Sequence, residues 1–183
     1  MKSEKEKMLA GEFYNASHEE LVKERDYARD LIFELNHTKP SDKEKKQELL
    51  KRLIVAKGSF HIETPFYCDY GYNIQVGENF YANYGCTILD VNAVQIGNNV
   101  LLAPNVQIYT ATHPIDPIER STGIEFAKSI VIGNNVWVGG GTIICPGVTI
   151  GNNVTIGAGS VVTKDIPDNV IAAGNPCKIL KGI

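Results

Sequence analysis

The stretch from Ile132 to Pro167 reads, in blocks of six residues, IGNNVW, VGGGTI, ICPGVT, IGNNVT, IGAGSV and VTKDIP. Each block opens with a β-branched aliphatic residue, namely Ile132, Val138, Ile144, Ile150, Ile156 and Val162. Glycine takes the second place in four of the six blocks. A period of six fits neither the helical repeat nor the alternation of a simple strand. It predicts a parallel β-helix, in which each block forms one flat side and points its first residue inward.

The same pattern begins earlier in the chain. Val76-Gly and Ile96-Gly-Asn-Asn-Val have the same aliphatic-glycine start. They are 20 residues apart, so two extra residues must lie between those registers. Glycine and asparagine suit the corners, where the backbone turns sharply. One coil cannot cover its own apolar interior, so we expect stacked coils, capped at both ends, from residue 59 to a C-terminal tail ending at residue 183.

Residues 1–58 are predicted to form a helical cap. Ser17 with Glu20, and Ser41 with Glu44, each match the capping box that begins a helix. Pro40 separates the two helices, because the residue before a proline avoids helical geometry. Apolar residues then recur on one helical face: Leu21, Ala28, Leu31, Ile32 and Leu35 in the first helix, and Leu49, Leu50, Leu53 and Ile54 in the second.

Composition excludes several classes of protein. The chain has 183 residues, a formal net charge of −3 and a pI near 5.8, which argues against a nucleic-acid or anionic-membrane surface. The N-terminal residues carry no apolar leader, and no apolar run reaches the length of about 18 residues that a membrane span needs. We therefore expect a cytoplasmic protein. The four cysteines form no CxxC pair and have no nearby histidine pairs, so we predict neither a zinc site nor a disulfide framework.

One long segment interrupts the repeats. His113–Ser129, HPIDPIERSTGIEFAKS, lacks the aliphatic-glycine marks and contains two prolines. The 24 residues from Ile108 to Ile132 equal four blocks, so the register survives the interruption. We predict a loop, residues 109–130 approximately, that leaves one corner of the coils, where functional residues concentrate on a rigid scaffold. His113 opens it, and the other histidines (His18, His37 and His61) are assigned to surface or structural positions.

The residues around His113 resemble those of a known enzyme family. Tyr109-Thr-Ala-Thr-His-Pro-Ile-Asp-Pro, with the repeats around it, resembles the maltose and galactoside O-acetyltransferases, hexapeptide-repeat acyltransferases whose coils wind left-handed. Glu4–Tyr14, Cys68–Ile74 and Val161–Val170 are also similar to that family, so the resemblance covers nearly the whole chain and is closest to the maltose type. It implies a left-handed parallel β-helix and transfer of an acetyl group from acetyl-CoA to a hydroxyl of a sugar such as maltose or glucose, without a metal.

The resemblance also implies roles for individual residues. His113 would be the general base, which suits the near-neutral pKa of an unperturbed imidazole. Glu125 would orient His113, although a solvated loop carboxylate would look the same in sequence. Asn83 would stabilise the tetrahedral transition state, although asparagine is also a common corner residue. For the acceptor the resemblance implies Asp69, Asn83 and Asp90.

Two departures leave the preferred sugar open. Galactoside relatives also use an aspartate in the N-terminal segment and another in the region of Asp90. Ala16 stands at the first of these positions, and Val91, directly after Asp90, stands at the second.

For the coenzyme, the resemblance points to a set of residues along one groove: Trp137, Gly140, Ala158, Thr163, Lys164, Lys178 and Lys181. Lys178 and Lys181 would lie near the 3′-phosphate; a solvated basic tail is the alternative. Gly139–Gly141 does not indicate a phosphate-binding loop of the strand–loop–helix type, because no helix is predicted to follow it.

Other functions stay open on the sequence. A β-helical carbonic anhydrase needs three histidine ligands for zinc, and only His61 and His113 lie on the repeats. A related acyltransferase acting on a xenobiotic or another non-sugar hydroxyl, and a non-enzymatic β-helical scaffold, are further alternatives. The resemblance implies a homotrimer with each site between two subunits. A loop that projects beyond its own corner would need such a neighbour to close the site.

Overall fold

The computed structural model describes residues 1–183, and its main body is a prism of stacked coils with three flat faces. The first face contains the strands Val55–Ala56, Ile74–Val76, Val94–Ile96, Ile130–Ile132 and Thr149–Ile150. The second contains Phe60–Ile62, Phe80–Ala82, Leu101–Leu102, Trp137–Val138, Thr155–Ile156, Val170–Ala173 and Lys178–Gly182. The third contains Tyr67–Cys68, Thr87–Leu89, Gln107–Tyr109, Ile143–Ile144 and Val161–Val162. All neighbours within a face are parallel except the last pair of the second face.

Three corners join the faces. The first corner, between the first and second faces, comprises residues 77–79, 97–99, 133–135 and 151–153. The second corner, between the second and third faces, comprises residues 83–86, 103–106, 139–142 and 157–160. The third corner, between the third and first faces, comprises residues 69–73, 90–93, 110–129, 145–148 and 163–165. Functional candidates lie at the second and third corners.

The interior confirms the predicted register of the repeats. All six residues that open the blocks from Ile132 to Val162 are buried in one core cluster of 36 residues. Paired residues are 20 positions apart in the early coils (Gln75 and Gln95) and 18 apart in the later ones (Val131 and Thr149). The two extra residues predicted between Val76 and Ile96 are therefore present.

The first corner shows why glycine and asparagine recur. A Cβ atom at Gly133 would lie 2.7 Å from the carbonyl carbon and oxygen of Gly151 in the next coil, so only glycine lets the coils approach at strand spacing. Asn99, Asn135 and Asn153 adopt positive φ angles of 55°, 56° and 54°. Their side chains form a ladder in which each Nδ2 donates to the Oδ1 of the next asparagine at 2.9–3.0 Å.

Three helices form the cap: α1 (Glu4–Leu9), α2 (Glu19–His37) and α3 (Lys43–Leu53). The apolar faces of α2 and α3 belong to the same core cluster as the coils, so the cap closes the open N-terminal end of the prism. At the other end, Lys178–Gly182 pairs antiparallel with Val170–Ala173. Its lysines are exposed on this edge strand, where charge discourages pairing with another chain.

Both predicted capping boxes are wrong by one residue. The main-chain N–H of Ser17 donates to Oδ1 of Asn15, so a local turn delays α2, which begins after His18. The N-cap of α3 is Asp42, whose carboxylate accepts from the amide of Lys45 at 3.2 Å and whose negative charge suits a helix N-terminus. The capping box that the structure contains is Ser3 with Glu6, at the start of α1.

The predicted interruption is an ordered extension of the third corner. It contains the strand Ala111–Thr112, the short helix α4 (Pro117–Ser121) and the strand Ile124–Ala127. Ile124–Ala127 pairs antiparallel with Ala111–Thr112 on one side and with Tyr14–Asn15 on the other. The extension leaves the coils at the third corner, and the cap of the same chain pairs with its outer strand.

No helix in the structure combines the length and the apolar character needed to cross a bilayer.

We expect Gly133→Ala to destabilise the fold, because the added methyl group meets main-chain atoms of Gly151 that cannot move away. Overpacking of this kind costs about 1–3 kcal/mol. Thermal unfolding should show a lower melting temperature. Gly182→Ala is the matched control, since the nearest atom to its Cβ is 3.8 Å away. Equal melting temperatures for both variants would contradict the close-approach argument.

Candidate active site

A cavity of about 420 Å³ lies at the third corner, beneath the extension. Three parts of the chain line it: the cap, the coils and the extension itself. Its charged and titratable residues are Tyr14, Arg25, Arg29, Asp69, Tyr70, His113 and Glu125. The cavity therefore brings together three residues predicted from the sequence, namely Asp69, His113 and Glu125.

His113 stands where the extension leaves the coils. It directly follows the strand Ala111–Thr112, and the buried Pro114 fixes the backbone beside it. Its imidazole is exposed and lines the cavity. A ring placed this way can exchange a proton with a molecule in the cavity.

Glu125 reaches the same cavity from the opposite strand of the extension. Its main chain is paired with Tyr14, and its Oε2 accepts a hydrogen bond from the Tyr14 hydroxyl at 2.7 Å. Both Glu125 and His113 line the cavity, as the predicted orienting role requires.

Asp69 lies on the floor of the cavity, on the turn after Tyr67–Cys68. Burial raises the pKa of its carboxyl group, the Arg25 guanidinium lowers it and the Glu125 carboxylate raises it further. Arg25 itself donates to the Tyr70 hydroxyl at 2.7 Å and to the Ala16 carbonyl oxygen at 2.6 Å. The guanidinium thus fixes the cap to the floor and supplies positive charge near Asp69.

Asp90, predicted to bind the acceptor, does not line the cavity. It is fully buried, and its Oδ1 accepts from the main-chain amides of Asp69 and Tyr70 at 3.0 and 2.9 Å. Burial raises its carboxyl pKa to about 7. Because its oxygens face main-chain amides, Asp90 supports the turn that carries Asp69 and does not face an acceptor.

Asn83 lies at a different corner from His113. It follows Phe80–Ala82 at the second corner, where its Oδ1 accepts from the amide of Tyr84 at 2.8 Å. That bond leaves Nδ2 as the part of the side chain that can donate to an oxyanion. Gly140 and Ala158 occupy the same corner in later coils.

The residues predicted to bind coenzyme divide between two places. Trp137 is 55% exposed on the second face, beside the second corner, and Lys178 and Lys181 lie on the terminal strand of that face. Thr163 and Lys164 instead follow Val161–Val162 at the third corner, the corner of His113. One chain does not place all seven residues in one groove.

Sequence reasoning missed three residues of the cavity: Tyr14 and Arg25 of the cap, and Tyr70 on the floor. They have no repeat or spacing that relates them to His113. The resemblance of Glu4–Tyr14 and Cys68–Ile74 to the acetyltransferases was the one signal that pointed to these segments.

Comparison with known proteins places this geometry in a family. The model described as "Maltose acetyltransferase hexapeptide capping motif" matches residues 7–58, and "Bacterial transferase hexapeptide (six repeats)" matches residues 129–164. The crystal structure of a maltose O-acetyltransferase from Clostridium difficile is 56% identical, with a TM-score of 0.97 over 100% of this chain and 98% of that one. The chain belongs to the maltose and galactoside O-acetyltransferase family.

Two further relatives support the same family assignment. A galactoside acetyltransferase solved in complex with coenzyme A is 44% identical, with a TM-score of 0.97 over 100% of this chain and 92% of that one. The galactoside O-acetyltransferase of Escherichia coli is 46% identical over 97% of this chain and 88% of its own length. The predicted left-handed β-helix and the predicted acyltransferase class are confirmed.

The β-helical carbonic anhydrase alternative requires three histidine ligands for one zinc ion. No group of three or more histidine, cysteine, aspartate or glutamate side chains is placed to hold a metal ion. His61 is on the second face, beside Glu63, whereas His113 is at the third corner. All four cysteines are free thiols.

Proposed function

We propose that this acetyltransferase moves the acetyl group of acetyl-CoA to a hydroxyl of a sugar such as maltose or glucose, with His113 as the general base. The observation that carries the proposal is the cavity at the third corner, where His113, Glu125 and Asp69 converge under the extension. A cavity of about 420 Å³ with hydrogen-bonding groups on several sides suits a small polyol.

The chemistry follows from what these residues supply. The hydroxyl oxygen of the acceptor attacks the thioester carbonyl carbon while His113 takes the hydroxyl proton. The carbon–sulfur bond then breaks, and the imidazolium returns the proton to the sulfur of the departing coenzyme A. Asp69 accepts hydrogen bonds from other hydroxyls of the acceptor, and Asn83 donates its Nδ2 to the developing oxyanion.

His113 and Asn83 can act on one substrate only if they come from different subunits. In one chain they lie at the third and second corners, on opposite sides of the third face. A three-residue strand on that face spans about 10 Å before the corners are added. We propose a homotrimer in which the third corner of one subunit faces the second corner of its neighbour.

The same arrangement unites the coenzyme residues. The neighbour would supply Trp137, Gly140, Ala158 and the terminal lysines, while the subunit that supplies His113 would add Thr163 and Lys164. Acetyl-CoA would then lie in the groove between two prisms, with its acetyl end toward His113.

A non-sugar acceptor is the second candidate, and one observation favours it. Ala16, Leu89, Val91 and Ala111 give the cavity an apolar side. Two of these residues stand at positions where the resemblance implies aspartates in galactoside enzymes. A sugar would place hydroxyl groups without hydrogen-bond partners against that side, whereas an acceptor with few hydroxyl groups would not.

We expect His113→Ala to lower turnover at least about a hundredfold, the scale that general-base catalysis supplies. Binding of coenzyme A should be nearly unchanged, because the imidazole acts on the acceptor. The assay follows release of free thiol from acetyl-CoA with maltose, glucose and non-sugar alcohols as acceptors. His37→Ala, at the end of α2, is the matched control. A folded His113→Ala variant within threefold of the parent would refute the assignment.

The terminal lysines should discriminate between coenzyme forms. If Lys178 or Lys181 binds the 3′-phosphate through charge-assisted contacts, its alanine variant should bind coenzyme A more weakly. Titration with 3′-dephospho-coenzyme A should then show a smaller loss than titration with coenzyme A. Lys164→Ala serves for comparison, since Lys164 lies at the other corner. Equal losses of affinity for both ligands would rule out binding of the 3′-phosphate by these lysines.

Shared sites predict complementation between inactive chains. His113→Ala disables the third corner of a chain, and Trp137→Ala disables its second face. When the two chains are refolded together, mixed trimers should regain activity, because some sites combine an intact third corner with an intact Trp137. Mass in solution is the independent measurement: a monomer of about 20 kDa with full turnover would rule out the shared site.

A further inference from the structure

We propose that Tyr14 of the cap is a positioning residue, which holds the Glu125 carboxylate in the orientation that supports His113. The inference rests on the proposed role of His113 as general base. It gives the cap a part in catalysis in addition to closing the end of the prism.

The contact joins distant parts of the chain. The Tyr14 hydroxyl donates to Oε2 of Glu125 at 2.7 Å, across 111 residues of sequence. The main chains of the two residues are directly paired in the antiparallel sheet that ties the extension to the cap. Strand pairing fixes the backbone of Glu125 but leaves its side-chain torsions free, so the hydroxyl is what holds the carboxylate.

Tyr14 is a rigid support for this bond. Its side chain is 2% exposed and packs in a cluster with Met8, Leu21, Tyr70, Val91 and Ala127. Burial raises the pKa of the phenol well above its usual value, and the hydrogen bond to Glu125 raises it further. The hydroxyl is therefore protonated at neutral pH and can donate to the carboxylate.

The bond also decides which oxygen of Glu125 remains free. Tyr14 bonds to Oε2, which leaves Oε1 to accept a bond from the His113 imidazole that lines the same cavity. An ionised carboxylate near an imidazole orients the ring and stabilises the imidazolium that forms when the general base takes a proton. The remaining charged or titratable groups that face this pair are Arg25 and Arg29 on α2 and Asp69 and Tyr70 on the floor.

Tyr14→Phe removes the hydroxyl and keeps the buried ring. We expect turnover to fall about tenfold with the KM for acetyl-CoA unchanged. The NMR signals of the His113 ring in the free enzyme should also shift, because the Glu125 carboxylate that lines the same cavity is no longer held by the Tyr14 hydroxyl.

Tyr72→Phe is the matched control. The Tyr72 hydroxyl donates to Oε2 of Glu24 at 2.6 Å, so the variant loses the same kind of bond to the cap, outside the cavity. Its turnover and the NMR signals of its His113 ring should equal those of the parent. If Tyr72→Phe and Tyr14→Phe change both quantities alike, the effect is general loosening of the cap and the proposal is wrong.

A double-mutant cycle tests whether Tyr14 acts through Glu125. In a Glu125→Ala background, Tyr14→Phe should cause no further loss of turnover, because the carboxylate it positions is absent. Additive losses would overturn the proposal. Glu125→Asp, which withdraws the carboxylate from the hydroxyl and leaves the cap untouched, should lower turnover and shift the His113 ring signals as Tyr14→Phe does.

The outcomes separate this inference from the function it rests on. If His113→Ala is inactive while Tyr14→Phe matches the parent in turnover and in the NMR signals of the His113 ring, only the role of Tyr14 is lost. If His113→Ala retains activity, the general base itself is wrongly assigned. The NMR measurement needs no acceptor, so it tests the coupling of Tyr14 to His113 before the physiological acceptor is known.

Discussion

Main-chain contact between successive coils at the first corner is the constraint on which the rest of the molecule depends. Gly97, Gly133 and Gly151 stack so closely that a Cβ on one would meet the backbone of the next. The asparagines beside them pair side chain to side chain along the same edge. Because this edge permits no insertion, the coils stay in register and every change in chain length is confined to the other corners.

The third corner is where the chain varies, and its interior is correspondingly polar. Four of the six buried polar residues lie there: Asn73, Asp90, Asn92 and Thr110. At the third corner, the hydrogen bonds of these four residues take the place of the glycine and asparagine contacts found at the first corner. Asp90 binds the turn of Asp69, and Asn92 donates to the Met8 carbonyl oxygen at the end of α1. Buried polar groups of this kind are costly unless paired, so they fix one arrangement of floor, cap and extension.

Local periodicity made the coils predictable, whereas no periodic pattern in the sequence predicts the cavity at the third corner. The register of Ile132 to Val162 followed from residues six apart, whose interactions recur in every coil. His113 and Glu125 were found because they interrupt that period and match a family sequence. Tyr14 could not be found in this way, since its partner is 111 residues distant and belongs to an antiparallel pair with no repeat. The start of α2 was misplaced for a related reason: the side chain of Asn15 competes locally with the predicted cap at Ser17.

His113 and Asn83 are separated by the whole third face, so the cavity and most of the residues proposed to bind coenzyme lie on different sides of the prism. In the proposed trimer, the third corner and the cap of one chain would form the acceptor cavity, and the second face would present Trp137 and the terminal lysines to a neighbour. Substitutions in the cap, such as those at Ala16 or near Tyr14, can therefore change the acceptor cavity without altering the second face. A change in the repeats of the second face would affect the proposed coenzyme groove and the contact between subunits together. Under the proposed assembly, acceptor choice could therefore vary while the contacts between subunits keep the coenzyme side of the site constant.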